Sequence, residues 1–418
     1  MAVTFILILI IVFLLRALKI KTCEPAGLVS YVYIFFILGS IFLLGDKYTF
    51  TYKGIWWLLT CCLFFVIVST LFRRRKNVDL TCEIINPEIH WKLLFVFIAI
   101  GMTSVLISMI TMGVDFSVFT NFSLLQNTAH TASMNRYSAG AETGSTLTQV
   151  IGSFIYICPV CAGYSYIYAN EKKYKILCWV SMLPAFLAML LTAAKLAVVS
   201  AVILFFVGYY ISYIFFYKRV PELKFSLFLK GICAFAVLYF LFFFSFILRY
   251  GSNEKNILNL IQTKMIVYGF GHIQGFDTWF GRYALAYDDY TFGGSTFLAI
   301  SSKLGVLEKG QGVYGVISGS CTNVYTQFRG VIQDFGIFLS LAVMIILFMI
   351  VSWQYQKLIR CKLPHVLLQT LFLANIFWLM FFFISAWTYT TYILTMIVFY
   401  SYLYVSYKVK VDSRGKEG

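Results

Sequence analysis

Charged residues are scarce in this sequence. Asp, Glu, Lys and Arg make up 12% of its 418 residues, about half of their usual share in a soluble domain. Hydrophobic residues make up 61%, so the chain lacks the polar surface that a soluble fold of this size requires. The composition therefore excludes a soluble globular protein and predicts an all-α polytopic membrane protein, because a helix satisfies the backbone polar groups of each long apolar run within that run.

Apolar runs long enough to cross roughly 30 Å of hydrocarbon recur along the chain. We predict eleven transmembrane helices, at 2–20, 28–45, 54–72, 92–112, 146–169, 174–192, 196–217, 226–248, 335–354, 366–384 and 386–407. The first run is expected to be a span and not a signal peptide, because its charges follow the apolar residues and no small-residue cleavage site is present. The chain then divides into the first eight helices with an external segment at 113–145 (1–248), one large external loop (249–334), the last three helices (335–407) and a tail (408–418).

The basic residues predict the orientation of these helices. Every second connection, together with the tail, is rich in Lys and Arg, and this set holds 22 of the 33 basic residues. Basic connections remain on the cytoplasmic side. We therefore expect an inner-membrane protein with an external N-terminus and a cytoplasmic C-terminus. The positive balance is a topology signal, so no nucleic-acid partner is implied.

The external segments lack the residues of a metal centre or a disulfide framework. Only one of ten cysteines, Cys321, lies outside the spans and cytoplasmic connections, so no disulfide can form within the external loops. No histidine and carboxylate are spaced to complete a metal site there. We expect no metal and no cofactor.

The loop 249–334 is the part of the chain in which chemistry is expected. It is rich in glycine and aromatic residues, its charges nearly cancel, and 255–268 could form a helix. Loops of this length are functional or disordered, and the aromatic content favours order. Four cations lie at the same predicted face: Lys195, Arg249, Arg282 and Arg329. Each alone could be a lipid-interface anchor, but together they suit a diphosphate held at the membrane surface.

Two stretches of this loop carry a family resemblance. The block Thr322-Asn-Val-Tyr-Thr-Gln-Phe-Arg329-Gly-Val-Ile-Gln-Asp334-Phe-Gly336 resembles the signature of the bacterial oligosaccharide repeat-unit polymerases, the O-antigen polymerase (Wzy) family. The run from Tyr268 to Asp277, followed by Phe292-Gly-Gly-Ser-Thr-Phe297, is similar to the external loop of that family. Leu191-Thr-Ala-Ala-Lys195 stands where the family tends to carry Thr-Gly-Ser-Arg, and lysine keeps the charge but loses the bidentate fork.

The resemblance implies a metal-independent membrane glycosyltransferase with a GT-C-like architecture. Such an enzyme joins oligosaccharide repeat units that are carried on undecaprenyl diphosphate, which serves as both donor and acceptor, on the periplasmic face. A chain-length regulator and a flippase are the partners that it implies. An O-antigen ligase, a flippase or transporter for lipid-linked sugars, and a structural assembly protein remain alternatives.

The resemblance also suggests a role for each candidate residue. Cations would stabilise the charge that develops on the leaving diphosphate, and one base would take the proton of the acceptor hydroxyl. The predicted diphosphate-binding residues are Arg329, Arg282, Arg249 and Lys195, with Arg329 inside the best motif. His272 is the first candidate for the base because of its intrinsic pKa, with Asp277 and Asp334 as the next choices. Asn323 and Tyr325 are expected to bind sugar or to order the loop.

Overall fold

The computed structural model describes residues 1–73, 87–135, 146–222, 225–250, 255–284, 289–308, 314–360 and 365–414. The chain is 78% helical, and no strand occurs in these ranges. The prediction of an all-α chain is therefore confirmed.

Fifteen α-helices follow one another in the described residues. They are α1 (Ala2–Ala17), α2 (Pro25–Leu44), α3 (Lys53–Leu71), α4 (Trp91–Thr111), α5 (Phe122–Asn135), α6 (Thr146–Ser165), α7 (Lys172–Val180), α8 (Leu183–Thr192), α9 (Lys195–Tyr217), α10 (Phe225–Tyr250), α11 (Lys255–Arg282), α12 (Leu298–Ser301), α13 (Phe328–Arg360), α14 (Val366–Met380) and α15 (Thr390–Arg414). Short 3-10 turns occur at Phe116–Phe119, Tyr166–Tyr168 and Ala386–Thr388.

Seven helical segments in these ranges are long and apolar enough to cross a membrane: Pro25–Leu44, Lys53–Leu71, Trp91–Thr111, Thr146–Tyr168, Lys172–Thr192, Lys195–Tyr217 and Phe328–Arg360. Three shorter apolar helices accompany them, at Ala2–Ala17, Ala236–Tyr250 and Val366–Met380. Each of the eleven predicted spans coincides with helix in the structure, including α15 for the last. The number that cross the bilayer stays a prediction.

Three helix boundaries differ from the sequence expectation. The predicted span 174–192 is divided into α7 and α8, with Ser181 and Met182 between them. The last two spans are separated by a wide connection at 381–389, where a single residue was expected. Helix α13 begins at Phe328 and is interrupted at Gly336, whose φ of 72° is not helical. The interruption separates a short helical segment, 328–335, from the apolar part of α13.

The centre of the bundle depends on close approach between α6 and α9. A Cβ added at Gly163 of α6 would lie 2.1 Å from the carbonyl oxygen of Phe205, and one added at Gly208 of α9 would lie 2.4 Å from that of Val160. Both distances are far below van der Waals contact, so only glycine fits at either position. Small residues of this kind let membrane helices pack backbone against backbone.

One end of the bundle, here called the basic face, joins connections that the sequence places on the cytoplasmic side. Arg73, after α3, donates to the carbonyl oxygens of Leu18 and Lys19 and forms a 2.7 Å ion pair with Glu24. At the same end, Nζ of Lys218 donates to the carbonyl oxygen of Leu358 at 3.3 Å. These contacts agree with the predicted alternation of the connections.

The opposite end, here called the site face, joins the connections 45–52, 112–121, 193–194 and 381–389 with residues 255–284, 289–308 and 314–327. Contacts at this end join these segments and the helices that lead into them. Ser385 Oγ donates to the Thr296 carbonyl at 2.7 Å, and Gln126 Nε2 donates to the Ile247 carbonyl at 3.3 Å. All the predicted site residues lie at this end or in helices that reach it.

Helix α11 occupies much of the segment predicted as one large external loop. It is 28 residues long and continues well beyond 268, where the sequence indicated an end. One side packs against α2, where the ring of Phe270 fills the space opposite Gly39 and a Cβ would lie 2.1 Å from that ring. The loop is therefore built on a helix that is docked on the bundle.

Candidate functional site

One stripe of α11 presents four of the residues that define the site. Tyr268, His272, Trp279 and Arg282 are separated by four, seven and three positions. At 3.6 residues per turn they lie within roughly 80° of one another around the helix axis. Asp277 lies on the other side of the helix, toward α3. The stripe brings together segments that are distant in the sequence.

Two of the predicted cations meet at Tyr268. Lys195 Nζ lies 3.6 Å from the centre of the Phe246 ring and 5.4 Å from that of Tyr268. Arg249 Nη1 donates to the Tyr268 hydroxyl at 3.3 Å. Nδ1 of His130 donates to the Arg249 carbonyl at 2.6 Å. We call Lys195, Arg249 and Tyr268 the first cation cluster.

Lys195 occupies an electrostatically unusual position in this cluster. It is the first residue of α9 and is only 8% exposed. The N-terminus of a helix carries partial positive charge, which a carboxylate would offset. The buried ammonium group of Lys195 instead adds to that positive charge. Together the helix terminus and the ammonium group favour an anion at this point.

Arg329 lies in a cage of three aromatic rings. Its guanidinium carbon is 3.9 Å from the centre of the Tyr314 ring, 4.2 Å from that of Tyr325 and 4.9 Å from that of Trp279. Arginine stacks on aromatic faces in this way. The Tyr325 hydroxyl donates to the Gly315 carbonyl at 2.9 Å, which fixes one wall of the cage. Trp279 and Tyr268 are eleven residues apart on α11, roughly 16 Å along its axis.

Arg282 and Asn323 lie at the surface near this cage. Arg282 ends α11, is exposed, and donates from Nη1 to the Ser318 carbonyl at 2.6 Å. Arg282 lies one turn of α11 from Trp279, and through this hydrogen bond it holds the segment that carries Tyr314. Asn323 is exposed at the start of the signature block.

His272 is enclosed by phenylalanine rings. It is 1% exposed, and the centres of the Phe36, Phe382 and Phe383 rings lie 4.8, 5.1 and 5.6 Å from that of the imidazole. Neither ring nitrogen has a hydrogen-bond partner among the described residues. Burial lowers the pKa of His272 to about 3, so the imidazole is neutral at physiological pH.

Asp277 caps the N-terminus of α3. Its Oδ2 accepts from the amides of Thr51 (2.6 Å) and Tyr52 (3.0 Å), and its Oδ1 accepts from those of Gly54 (3.0 Å) and Ile55 (3.3 Å). Burial raises the pKa of the Asp277 carboxyl, and the hydrogen bonds from these amides oppose that rise. The carboxylate thus uses both oxygens to join α11 to α3.

Asp334 organises the segment 291–297. Its Oδ1 accepts from Thr291 Oγ1 at 2.5 Å and from the Ser295 amide at 2.8 Å, and its Oδ2 accepts from the Thr296 amide at 2.8 Å. Two residues later, Gly336 turns the backbone out of the helix, and a Cβ there would lie 3.0 Å from the Tyr290 hydroxyl. The Asp-Phe-Gly end of the signature block therefore holds a loop against α13.

The structure places the four predicted cations in two pairs along α11. Lys195 and Arg249 meet at Tyr268, whereas Arg329 and Arg282 lie near Trp279. Sequence reasoning missed Tyr268 as the shared contact, and it missed Gln274, whose side chain bonds to Thr49, Thr278, Gly319 and Cys321. The four-residue and three-residue spacing of Tyr268, His272, Gly275 and Trp279 was the available signal, but no helix was predicted beyond 268.

Comparison with protein-family models, with curated proteins and with solved structures finds no match to this chain. The resemblance of the signature block to the repeat-unit polymerases therefore stays a prediction.

Proposed function

We propose that this chain is a bacterial membrane glycosyltransferase of the O-antigen polymerase type. It joins oligosaccharide repeat units carried on undecaprenyl diphosphate, and the diphosphate-linked lipid leaves as each bond forms. The reaction takes place on the periplasmic face of the inner membrane, with the N-terminus periplasmic and the C-terminus cytoplasmic. A flippase supplies the units, and a chain-length regulator is the expected partner.

The observation that carries the proposal is that the four predicted cations lie along one helix, in two pairs, at one end of the bundle. Lys195 and Arg249 come from α9 and α10, Arg329 comes from α13, and all three contact rings on the same stripe of α11 that ends in Arg282. A soluble anion does not need cations presented by apolar helices. A diphosphate attached to a lipid needs cations close to the membrane, because the lipid tail remains in the hydrocarbon.

The cations supply the chemistry that this transfer requires. The energy for the new glycosidic bond is already present in the donor's sugar–diphosphate bond, so the enzyme has to stabilise the charge that develops on the diphosphate as that bond breaks. Preorganised cations in a site that excludes water do this effectively. Stacking fixes the guanidinium of Arg329 in one orientation, so little reorganisation is needed during the reaction.

Of the three candidate bases, His272 has a side chain whose nitrogen atoms make no hydrogen bond to the described residues. Asp277 and Asp334 each use both carboxylate oxygens in hydrogen bonds to backbone amides, which assigns them positioning roles in this proposal. A neutral imidazole can accept a proton from an acceptor hydroxyl once Phe382 and Phe383 move aside. Entry of a polar, anionic substrate also reverses the desolvation that depresses the pKa of His272.

The test is the sugar-chain profile of cells that carry Arg329→Ala or Arg329→Lys in place of the native protein. We expect loss of the long-chain ladder in both, with single repeats still attached to the lipid core, because lysine cannot reproduce the stacked guanidinium. Lys173→Ala on the basic face, where Lys173 forms an exposed ion pair with Glu171, is the matched control and should keep the ladder. Membrane levels are compared by blotting.

The same profile separates the alternatives. A surface with no repeats at all would assign the chain to ligase or flippase activity. A normal ladder in Arg329→Ala would remove Arg329 from the mechanism and, with it, the main support for the proposal.

A further inference from the structure

The segment 291–297 is fixed from several directions. Besides the three bonds to its carboxylate, Asp334 accepts from the Phe292 amide through its own carbonyl oxygen at 3.1 Å. Ser301 Oγ donates to the Gly294 carbonyl at 2.8 Å, and Ser385 Oγ donates to the Thr296 carbonyl at 2.7 Å. The backbone of this loop is therefore held by α13, by α12 and by the connection 381–389.

This fixed loop presents an exposed aromatic ring in a strained conformation. Phe292 has a φ of 45°, in the left-handed region that L-residues with bulky side chains avoid. Its side chain is 77% exposed, so packing does not compensate for the strain. Glycine or asparagine would adopt this backbone at lower cost. Strain that the surrounding structure maintains points to a function for the side chain it holds.

The loop lies beside the proposed diphosphate site. A Cβ added at Gly330, the residue after Arg329, would lie 3.6 Å from the carbonyl group of Ser295 and from Cα of Thr296. Phe292 is thus held one short segment away from the turn of α13 that carries Arg329. A group bound at Arg329 and a group in contact with Phe292 can belong to one substrate molecule.

We propose that Phe292 is a sugar-stacking residue that positions a pyranose ring of the lipid-linked repeat unit. This inference rests on the proposed function. The apolar C–H face of a pyranose suits the electron-rich face of an aromatic ring. A sugar attached to a diphosphate at Arg329 extends from the membrane surface toward this loop. Asp334 is then a positioning residue, whose hydrogen bonds to the loop place the Phe292 ring.

The experiment uses Phe292→Trp in the full-length protein, labelled with 5-fluorotryptophan and reconstituted in phosphatidylcholine nanodiscs. The chain has eight native tryptophans, so the 19F resonance that is absent from the unsubstituted protein reports position 292. Two probes are added separately: oligosaccharide released by acid hydrolysis from the surface polysaccharide of the source cells, and doxyl-labelled phosphatidylcholine.

We expect the oligosaccharide to shift or broaden this resonance and the doxyl lipid to leave it unchanged. Broadening by the doxyl lipid would make Phe292 a membrane anchor and overturn the inference. A resonance that responds to neither probe would also overturn it.

Kinetic variants give an independent readout with lipid-linked repeat units as substrate. Phe292→Leu keeps an apolar side chain without an aromatic face, and Phe292→Asn removes the ring while suiting the left-handed backbone. We expect both to lower kcat/KM about tenfold, chiefly through KM, since stacking on one aromatic ring commonly contributes about a factor of ten. We expect Phe292→Trp, which keeps an aromatic face, to stay within about threefold of the unsubstituted protein. Unchanged kcat/KM in Phe292→Leu would contradict a stacking role.

Failure of this inference is distinguishable from failure of the proposed function. If the protein forms no chains but the position-292 resonance still responds to oligosaccharide, sugar binding stands and polymerisation does not. If chains form and the resonance does not respond, only the role of Phe292 fails.

Discussion

Replacing Asp277 tests whether this carboxylate holds the fold or takes part in the chemistry. In Asp277→Ala, four main-chain amides at the start of α3 lose their acceptor, and those of Gly54 and Ile55 are buried. Hydrogen bonds to a charged group contribute roughly 1.5–3 kcal/mol each and are not additive, and loss of a helix cap costs roughly 0.5–2 kcal/mol. Water can replace the acceptor only for Thr51 and Tyr52. We therefore expect the free energy of unfolding to fall by about 2–4 kcal/mol.

Asp277→Asn should be intermediate, because one carbonyl oxygen remains while the amide group opposes two of the N–H donors. The assay is the thermal unfolding midpoint in one detergent, followed by activity per folded molecule. Asp115→Asn is the matched control, since Asp115 caps a 3-10 turn through the Ser117 amide at an exposed position, and its loss should be smaller. If Asp277→Ala unfolds at the same temperature as the unsubstituted protein but is inactive, then the cap interpretation is wrong and Asp277 acts in the reaction.

Two further predictions concern Gly336 and His272. Gly336→Ala should lower the unfolding midpoint and the activity together, because a φ of 72° is strained for alanine and its Cβ would lie 3.0 Å from the Tyr290 hydroxyl. A fully active, stable variant would refute the role of this kink. Because His272 is neutral in the native state, the free energy of unfolding should fall as the pH drops below 6.5, the pKa of the imidazole in the unfolded chain. In that range the unfolded chain binds a proton that the native state does not bind until about pH 3. Stability should therefore fall by up to about 1.4 kcal/mol per pH unit in that window, and His272→Phe should remove this component of the melting curves between pH 7 and 5; identical pH dependence would contradict the buried environment.

The apolar runs predicted the helices well because each depends only on local sequence. All eleven runs coincide with helix, and the contacts at each end of the bundle join connections that the basic residues had already grouped. Helix α11 could not be predicted in full, since its glycines and polar residues lower helix propensity and its stability comes from tertiary packing. Gly39 receives Phe270, and Asp277 caps α3, but neither partner is visible from local sequence.

The candidate site shows the same division. The cations could be identified because charge is scarce in this chain and because Arg329 lies within a recognisable block. Their arrangement in two pairs could not be predicted, since it depends on which residues of α11 share a stripe and on rings such as Tyr314. The roles of Asp277 and Asp334 as acceptors for backbone amides, and the left-handed backbone of Phe292, follow from geometry that composition and spacing do not encode.

Polymerisation by the purified protein tests the central claim most directly. The full-length chain, reconstituted in liposomes without any other enzyme, is supplied with undecaprenyl-diphosphate-linked repeat units from cells that lack it, in the presence of a chelator. The account predicts a ladder of lipid-linked multiples of the repeat unit and release of undecaprenyl diphosphate, with both lost in Arg329→Ala and retained in Lys173→Ala. Unchanged single repeats in the reaction with the unsubstituted protein would contradict it.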